Sequence, residues 1–532
     1  MTRLEARFRE AVTLHQQGKL AEAERAYQDV LRQRPKHFDA LHHLGVLALQ
    51  SKRAVLGVQL IEKAISLNAR NAAAQNNLGN GLRELGRFEA ALACYDKAIA
   101  ARPDYAEAWY NRGNALRDLG RAEDAIVSFQ KAIALRPEYA EAHCNLAACL
   151  MQTLRHEDAL ESYDRALALR PNDAEAWYNR AIALQDLKRH DDALANYDKA
   201  IALRPGDADA HWNQSLCLLQ MGEFERGWRL FEWRHKKRPP SARESFAQPP
   251  WLGETDIAGK AVFLHWEQGF GDTIQFCRYA ELVRARGAKV IMSVQQPLRD
   301  LLGHLGPDID FAGPSDRPAA FDLRCSLLSL PLAFRTTFAT IPARVAYLRA
   351  DPSLAAIWSE RLAPTPRPRV GIAWSGSATN AHDHKRSIAL LSLLPLLTGD
   401  VDWVCLQNEV RPADADLLKQ TPRIAWFGEA LTDFNETAAL VHQLDLVVTV
   451  DTSVAHLAGA MGKPVWLLLQ HNPDWRWLLD RDDSPWYPTV RLFRQPRPGE
   501  WDAVIGRVAR ELMMLTQPSA RAFHARNLIT GH

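Results

Sequence analysis

The sequence predicts an all-helical repeat solenoid followed by an α/β module of two parallel-sheet domains. Three observations carry this reading. A 34-residue ruler runs through the first 240 residues, apolar runs turn strand-like near residue 261, and glycine- or hydroxyl-rich loops follow several of those runs.

The ruler is set by proline and alanine. Prolines stand at 35, 103, 137, 171 and 205, with Ala69 on the missing beat. Alanines stand at 23, 91, 125, 159 and 193, each followed four residues later by Tyr27, Tyr95, Phe129, Tyr163 or Tyr197. Seven repeats starting at 4, 38, 72, 106, 140, 174 and 208 fit without insertion. In the fourth, Trp109, Gly113 and Leu116 mark a first helix and Ala125, Phe129 and Ala132 a second, with Gly120 between them and Pro137 after. A helix pair of this size buries its flank only against its neighbours, which makes a solenoid.

The sixth residue of five successive repeats is Asn77, Asn111, Asn145, Asn179 and Asn213. At 100° per residue, positions 2, 6, 9 and 13 lie opposite the apolar positions 4, 7, 8 and 11. A primary amide offers donor and acceptor together, so a ladder of amides suits an extended polypeptide whatever its side chains. The competing explanation is that Asn is simply the common choice at this repeat position.

The seventh repeat departs from the pattern. Gly227 replaces the alanine, and Trp228, Phe231 and Trp233 follow, which implies docking onto the next domain. Residues 234–240, rich in Lys and Arg, read as a solvated linker running to about 255.

Strands are expected at 261–266, 289–294, 309–312, 321–325, 370–374, 401–406, 424–427, 445–450 and 464–469, most separated by helices. A Pro-rich break near 351–369 divides them into Rossmann-like halves, 256–360 and 361–515, facing a cleft, with a tail at 516–532. Ligands of such sheets sit beyond the C-terminal strand ends. The first loop there runs from Glu267 through Gly269, Gly271 and Asp272. Asp272 reads either as a catalytic carboxylate or as a helix cap, and Ile274 occupies the place of the third glycine of a dinucleotide fingerprint. The second holds Ser375, Gly376, Lys385 and Arg386, groups that suit phosphate oxygens. His382 and His384 alternate there, but no carboxylate-rich cluster accompanies them, so no metal is expected. The third is Asp451-Thr452-Ser453, entering a small-residue helix with His456, whose unpaired amides form an anion site.

Gly269-Phe270-Gly271-Asp272 and Asp451-Thr452-Ser453-x-x-His456-Leu457-Ala458-Gly459-Ala460-x-Gly462-x-Pro464 together resemble the GT-B glycosyltransferases of the heptosyltransferase type (family 9). The repeats closely resemble the tetratricopeptide (TPR) family. Joined, the layout is similar to O-linked N-acetylglucosamine transferases and to bacterial repeat-containing transferases that glycosylate flagellin. The resemblance implies an all-α TPR solenoid followed by an α/β GT-B module, with two Rossmann-like domains facing a cleft. It also implies a nucleotide-sugar donor, as co-substrate and not cofactor, held by the C-terminal half, and an acceptor approaching the N-terminal half. Asp272 matches the family's candidate catalytic acid residue, with His265 and Glu267 as alternative bases. Lys385, Arg386 and the 452–454 amides would receive the leaving diphosphate without a metal, and Gln407 and Glu409 are candidate base or ribose contacts.

Charge bounds the alternatives. Lys and Arg number 65 against 63 Asp and Glu, a net +2, which excludes a whole-surface nucleic-acid or membrane binder. No apolar run of about 18 residues occurs, so no span is expected. Seven scattered cysteines without a C-x-x-C pair, and no visible secretory signal, imply reduced thiols in a cytoplasm. Two functions compete: a glycosyltransferase whose TPR groove presents a protein acceptor, and a non-catalytic TPR scaffold carrying a degenerate GT-B-like module.

Overall fold

The computed structural model describes residues 2–237, 246–306, 308–313, 318, 320–377, 383–397 and 400–516. It forms two compact units, residues 1–205 and 206–532.

The first unit holds six helix pairs in the register of the ruler. First helices run Arg3–Gln16, Phe38–Gln50, Ala72–Glu84, Ala106–Asp118, Ala140–Gln152 and Ala174–Asp186. Their partners are Leu20–Gln33, Ala54–Leu67, Phe88–Ala101, Ala122–Leu135, His156–Leu169 and His190–Leu203. The ruler residues explain the packing: Ala23, Tyr27, Ala91, Tyr95, Ala125, Phe129, Ala159, Tyr163, Ala193 and Tyr197 are all buried. A Cβ built on Gly79 would stand 2.5 Å from Cε1 of Tyr95, and one on Gly113 2.6 Å from Cε1 of Phe129. Each small residue thus makes room for the aromatic of the second helix. Between the helices of a pair the chain turns through the left-handed region. Gly18, Gly86 and Gly120 do this at φ 71–73°, but Lys52, Leu154 and Lys188 hold the same beat at φ 59–60°.

In the second unit, strands β1 (Ala261–His265), β2 (Lys289–Ser293), β3 (Ile309–Ala312) and β4 (Leu323–Ser326) form a parallel sheet of order β3-β2-β1-β4. Strands β5 (Arg369–Ala373), β6 (Asp402–Cys405), β7 (Ile424–Trp426), β8 (Leu446–Val450), β9 (Val465–Leu469) and β10 (Val490–Arg494) form another. Its order, β10-β9-β8-β5-β6-β7, is the doubly wound arrangement whose direction reverses between β5 and β8. The nine expected strands are present, and β10 is additional. It lies at the sheet edge, where Arg491 and Arg494 interrupt the apolar run.

The boundaries differ from expectation in three places. The seventh repeat, Ala208–Gln220 with Phe224–Phe231, belongs to the second unit because its aromatics are buried there: Trp228, Phe231 and Phe224 pack with Trp475, Trp486 and Phe276. Residues 234–237 and 246–255, expected as a solvated linker, are largely exposed but tied to the fold at two points. Arg234 is 6% exposed and pairs with Glu232 and Glu267, while Trp251 is buried with its backbone N–H on the Arg324 carbonyl. Residues 238–245 and the tail from 517 lie outside the described residues. Helix Pro352–Arg361 packs with the second sheet, Trp358 donating to Glu436 at 2.7 Å and meeting the Phe427 ring at 5.4 Å, so that half begins near 352 and not 361.

A left-handed conformation costs an L-residue about 1 kcal/mol or more, and Leu154 is 52% exposed, so its side chain contributes little packing. Leu154→Gly should therefore raise stability by about 0.5–1 kcal/mol in urea unfolding, and a loss of stability would contradict this reading of the turn.

Candidate active site

Two helix starts bring the site together. After β1 the chain turns through Gly269, the N-cap of helix Phe270–Phe276. Asp272 is therefore a first-turn residue and not the cap. Its Oδ2 accepts the Gly269 N–H at 2.8 Å and its Oδ1 the Nη2–H of Arg476. After β8 the chain enters helix Ser453–Ala460, with Thr452 as N-cap in extended conformation. His456 from this helix meets Gly271 from the other: a Cβ on Gly271 would stand 2.7 Å from its Cδ2. Gly459 admits Tyr487 in the same way, at 2.7 Å from Cδ1. The small residues thus seat the two helix starts and the Tyr487 ring against one another.

Arg476 holds the centre. Its Nη2 meets Asp272, its Nη1 donates to Asp474 at 2.8 Å and its Nε to Gln275 at 2.7 Å, with the guanidinium 4.4 Å from the Trp475 ring centroid. Burial pushes the Asp272 carboxyl above the ordinary aspartate value, and the charge of Arg476 offsets only part of that. Asp451, 16% exposed, is pushed up to about 6 by burial and by the neighbouring charge of Asp474, against the pull of Arg386. His456 is held well below the usual histidine range by burial and by Arg476, Arg278 and Arg386. It is therefore neutral, its Nδ1 2.8 Å from the Tyr487 hydroxyl and its Nε2 3.9 Å from Asp451. Arg278 is a second buried guanidinium, bonded to the carbonyls of Gln275, Trp486 and Pro342 and to the Tyr347 hydroxyl. Its charge meets no carboxylate in these contacts.

The other expected residues divide. Ser375 and Gly376 follow β5 beside the reversal point. The Ser375 amide donates to Gln407 Oε1 at 3.2 Å and the Gly376 amide to Ser387 Oγ at 3.2 Å. Ser375 Oγ accepts from Gln407 Nε2 at 3.0 Å, which leaves its own O–H to donate outward. Gln407 is spent within the protein: Oε1 also accepts the Trp374 amide, and Nε2 also donates to the Glu409 carbonyl. Arg386 reaches Asp383 at 2.9 Å beside Gly376, and Lys385 is exposed. Thr452 is buried, its hydroxyl 3.4 Å from that of Thr449, whereas Ser453 is part-exposed. Ser453 and Val454 carry the helix-start amides that precede its hydrogen-bond ladder.

Two alternative bases fall outside this cluster. Glu267 accepts from Arg234 at 2.9–3.1 Å and from Ser326 Oγ at 2.6 Å. Burial alone would raise its pKa, but Arg234 wins and holds it below the ordinary value. It anchors the end of the seventh repeat. His265 packs against Phe246 and Phe263, and burial lowers it to about 4. His382 lies outside the described residues, and among those described no group of three or more His, Cys, Asp or Glu side chains is arranged to hold a metal ion.

The amide ladder is not fully solvent-facing. Asn77 Nδ2 lies 2.9 Å from His42 Nε2, Asn111 donates to Asn76 at 3.0 Å, and Asn145 to Tyr110 at 3.0 Å and Asn114 at 2.9 Å. In each case the sixth residue of one repeat reaches the fifth of the repeat before. The donor half of these amides stitches repeats together, and Arg117 also occupies the Asn145 oxygen. Asn179 is part-buried, as is Asn213, which sits in the second unit.

The raised pKa of Asp451 is also a stability statement. Its ionised form is disfavoured in the folded chain, so a penalty is present above about pH 6 and vanishes below about pH 4, where folded and unfolded states are both protonated. Asp451→Asn should therefore stabilise the protein by roughly 1–3 kcal/mol at pH 8 and by little at pH 4. Equal melting shifts at both pH values would contradict this.

Comparison with known proteins bears on both units. Tetratricopeptide repeat profiles match residues 8–76, 76–140, 116–183 and 174–207, and the glycosyltransferase family 9 (heptosyltransferase) profile matches 429–474. The chain is 28% identical over 320 residues to protein FlbA of Caulobacter vibrioides, covering 56% of this chain and 53% of that protein. It thus spans about half the length of the curated relative it matches. Among solved structures, YrrB, a TPR protein with an unusual peptide-binding site, is 21% identical with a TM-score of 0.33, covering 36% of this chain and 98% of that one. Pseudomonas aeruginosa pilF is 20% identical with a TM-score of 0.37, covering 40% and 96%. Among the described residues no helix is long and apolar enough to cross a membrane. The chain is thus similar to tetratricopeptide-repeat proteins over residues 8–207, and over residues 429–474 its C-terminal α/β module is similar to the family 9 glycosyltransferases.

Proposed function

We propose that the protein transfers a sugar from a nucleotide-sugar to a polypeptide held by its repeats. One observation carries the reading: the Asp451-Thr452-Ser453 helix start lies at the reversal point of a doubly wound sheet, and Asp272 is joined to the same cluster through Arg476. The donor diphosphate is received by the Ser453 and Val454 amides, the Ser453 and Ser375 hydroxyls and Arg386, with Lys385 at the rim. A helix start adds about half a positive charge to these donors. Asp451, largely protonated below about pH 6, faces a sugar hydroxyl beside neutral His456.

In the transfer step Asp272 takes the proton of the acceptor hydroxyl. The hydroxyl oxygen bonds to the anomeric carbon as the bond from that carbon to the diphosphate oxygen breaks, and the electron pair leaves with the nucleoside diphosphate. Arg476 holds Asp272 in place while burial keeps it basic. No step needs a metal. The repeats raise the local concentration of the acceptor, with the amide oxygens of Asn77, Asn111 and Asn179 as backbone-binding groups and Asn145 as a stitch between repeats.

Asp272→Asn should lower turnover on the order of 10²–10⁴-fold with donor affinity little changed. Because the base acts ionised and its pKa is raised, wild-type kcat should fall as pH drops through a midpoint above the ordinary aspartate value, and the residual rate of the variant should lack that limb. Wild-type turnover in the variant would reduce Asp272 to its structural bond to the Gly269 amide, whereas a wild-type protein with no transfer activity would favour the non-catalytic scaffold. Asn111→Ala with Asn145→Ala should weaken acceptor binding and also cost about 1 kcal/mol of stability per stitch lost. Lost stability with unchanged acceptor affinity would return the ladder to packing alone.

A further inference from the structure

One large aromatic at the strand ends has no part in the core. Trp426 closes β7 and is 44% exposed, although tryptophan is costly to leave in water. Its ring is fixed. Nε1 donates to the Gln407 carbonyl at 2.9 Å, and a Cβ built on Gly428 would stand 2.6 Å from both Cε2 and Cζ2. Only glycine at 428 lets the backbone lie this close to the indole, which is still 44% exposed.

Register gives its position relative to the donor site. Trp426 pairs with Cys405, Cys405 with Ile372, and Ile372 with Val448. At about 4.8 Å between strands, Trp426 stands level with Ile372 and about 10 Å along the sheet, on the side of β5 away from the Ser453 helix. Ser375, three residues beyond Ile372, and Asp451, three beyond Val448, lie at the same end. A nucleoside diphosphate with its phosphates at Ser453 would extend its base across β5 and β6 toward β7. Gln407 ties this edge together, its side chain holding the β5 loop and its carbonyl the indole.

We propose that Trp426 is the platform on which the nucleobase of the donor stacks. This rests on the donor-site reading above. The indole supplies affinity through its face, which every base can use, while its single donor is already spent on Gln407. A rigid exposed ring also limits the entropy lost on binding, because no rotamer has to be frozen.

The test is calorimetry on the full chain with ADP, GDP and UDP, and with inorganic pyrophosphate as a probe without a base. Trp426→Ala should weaken the best-bound nucleoside diphosphate by about tenfold or more, the usual scale of one stacked base, and leave pyrophosphate affinity unchanged. Trp426→Phe should restore most of the loss although it lacks the bond to the Gln407 carbonyl as the alanine variant does, which separates stacking from that bond. Unaltered nucleotide affinity in Trp426→Ala would overturn the platform while leaving the donor site standing. So would an equal loss for nucleotide and pyrophosphate, which would make Trp426 a support of the β5 and β6 loops. Wild-type protein that binds neither probe would remove the donor site and the platform together.

Discussion

The seating of Trp228 among the aromatics of the second unit is the contact on which the rest of that unit depends. Trp228 is 1% exposed, its ring 5.2 Å from Trp475 and 6.5 Å from Trp486, both nearly perpendicular, and its indole N–H closes on the Thr336 carbonyl at 3.0 Å. Edge-to-face pairs of this kind add to the burial of the rings themselves. Trp475 in turn carries the Arg476 guanidinium, and Arg476 carries Asp272 and Asp474. One residue further on, Trp477 lies 5.4 Å from His456. The end of the repeats thus acts on the site through a single loop, 474–477. Arg234 fixes the same repeat a second time, through Glu267 behind β1.

The site is built against stability. Asp272, Asp451 and Asp474 crowd one guanidinium, and two of the three carboxyls are raised. A second buried guanidinium, Arg278, contributes charge with only neutral partners in its hydrogen bonds. Burying charges in this way costs more than pairing returns, and it persists where the surrounding packing is strong enough to impose it. The aromatic cluster supplies that packing. A developing diphosphate charge would be met by helix-start amides already in place, which is how a preorganised site favours a transition state over its own ground state.

Much of this was legible in the sequence because it repeats or alternates. The 34-residue beat located the helix starts of the repeats, and apolar runs located nine strands. The Asp272 and Asp451 loops were visible because glycine and hydroxyl residues follow strands. What stayed hidden depends on contacts between residues distant in sequence. Arg476 lies 204 residues from Asp272 and looks like one arginine among many. Arg234 sits in a basic run that reads as solvated, and its burial rests on Glu267 and Ser329 across the fold together with Glu232 nearby. The seventh repeat keeps the beat of the others, so its membership of the second unit shows only in where Trp228 is buried. The donor side of the Asn ladder was missed because the helical angle places position 6 away from the apolar face without revealing the neighbouring repeat that covers it.

The central claim is that a nucleotide-sugar is held at the reversal point of the second sheet. Amide hydrogen exchange of the full chain, with and without saturating UDP-, GDP-, ADP- and CMP-sugars, tests it most directly. With one of these donors, exchange should slow in 453–456, in 374–377 and in the 474–477 loop, while the repeats before residue 205 keep their rates. Unchanged exchange at 453–456 with every donor, or protection confined to the repeats, would contradict it.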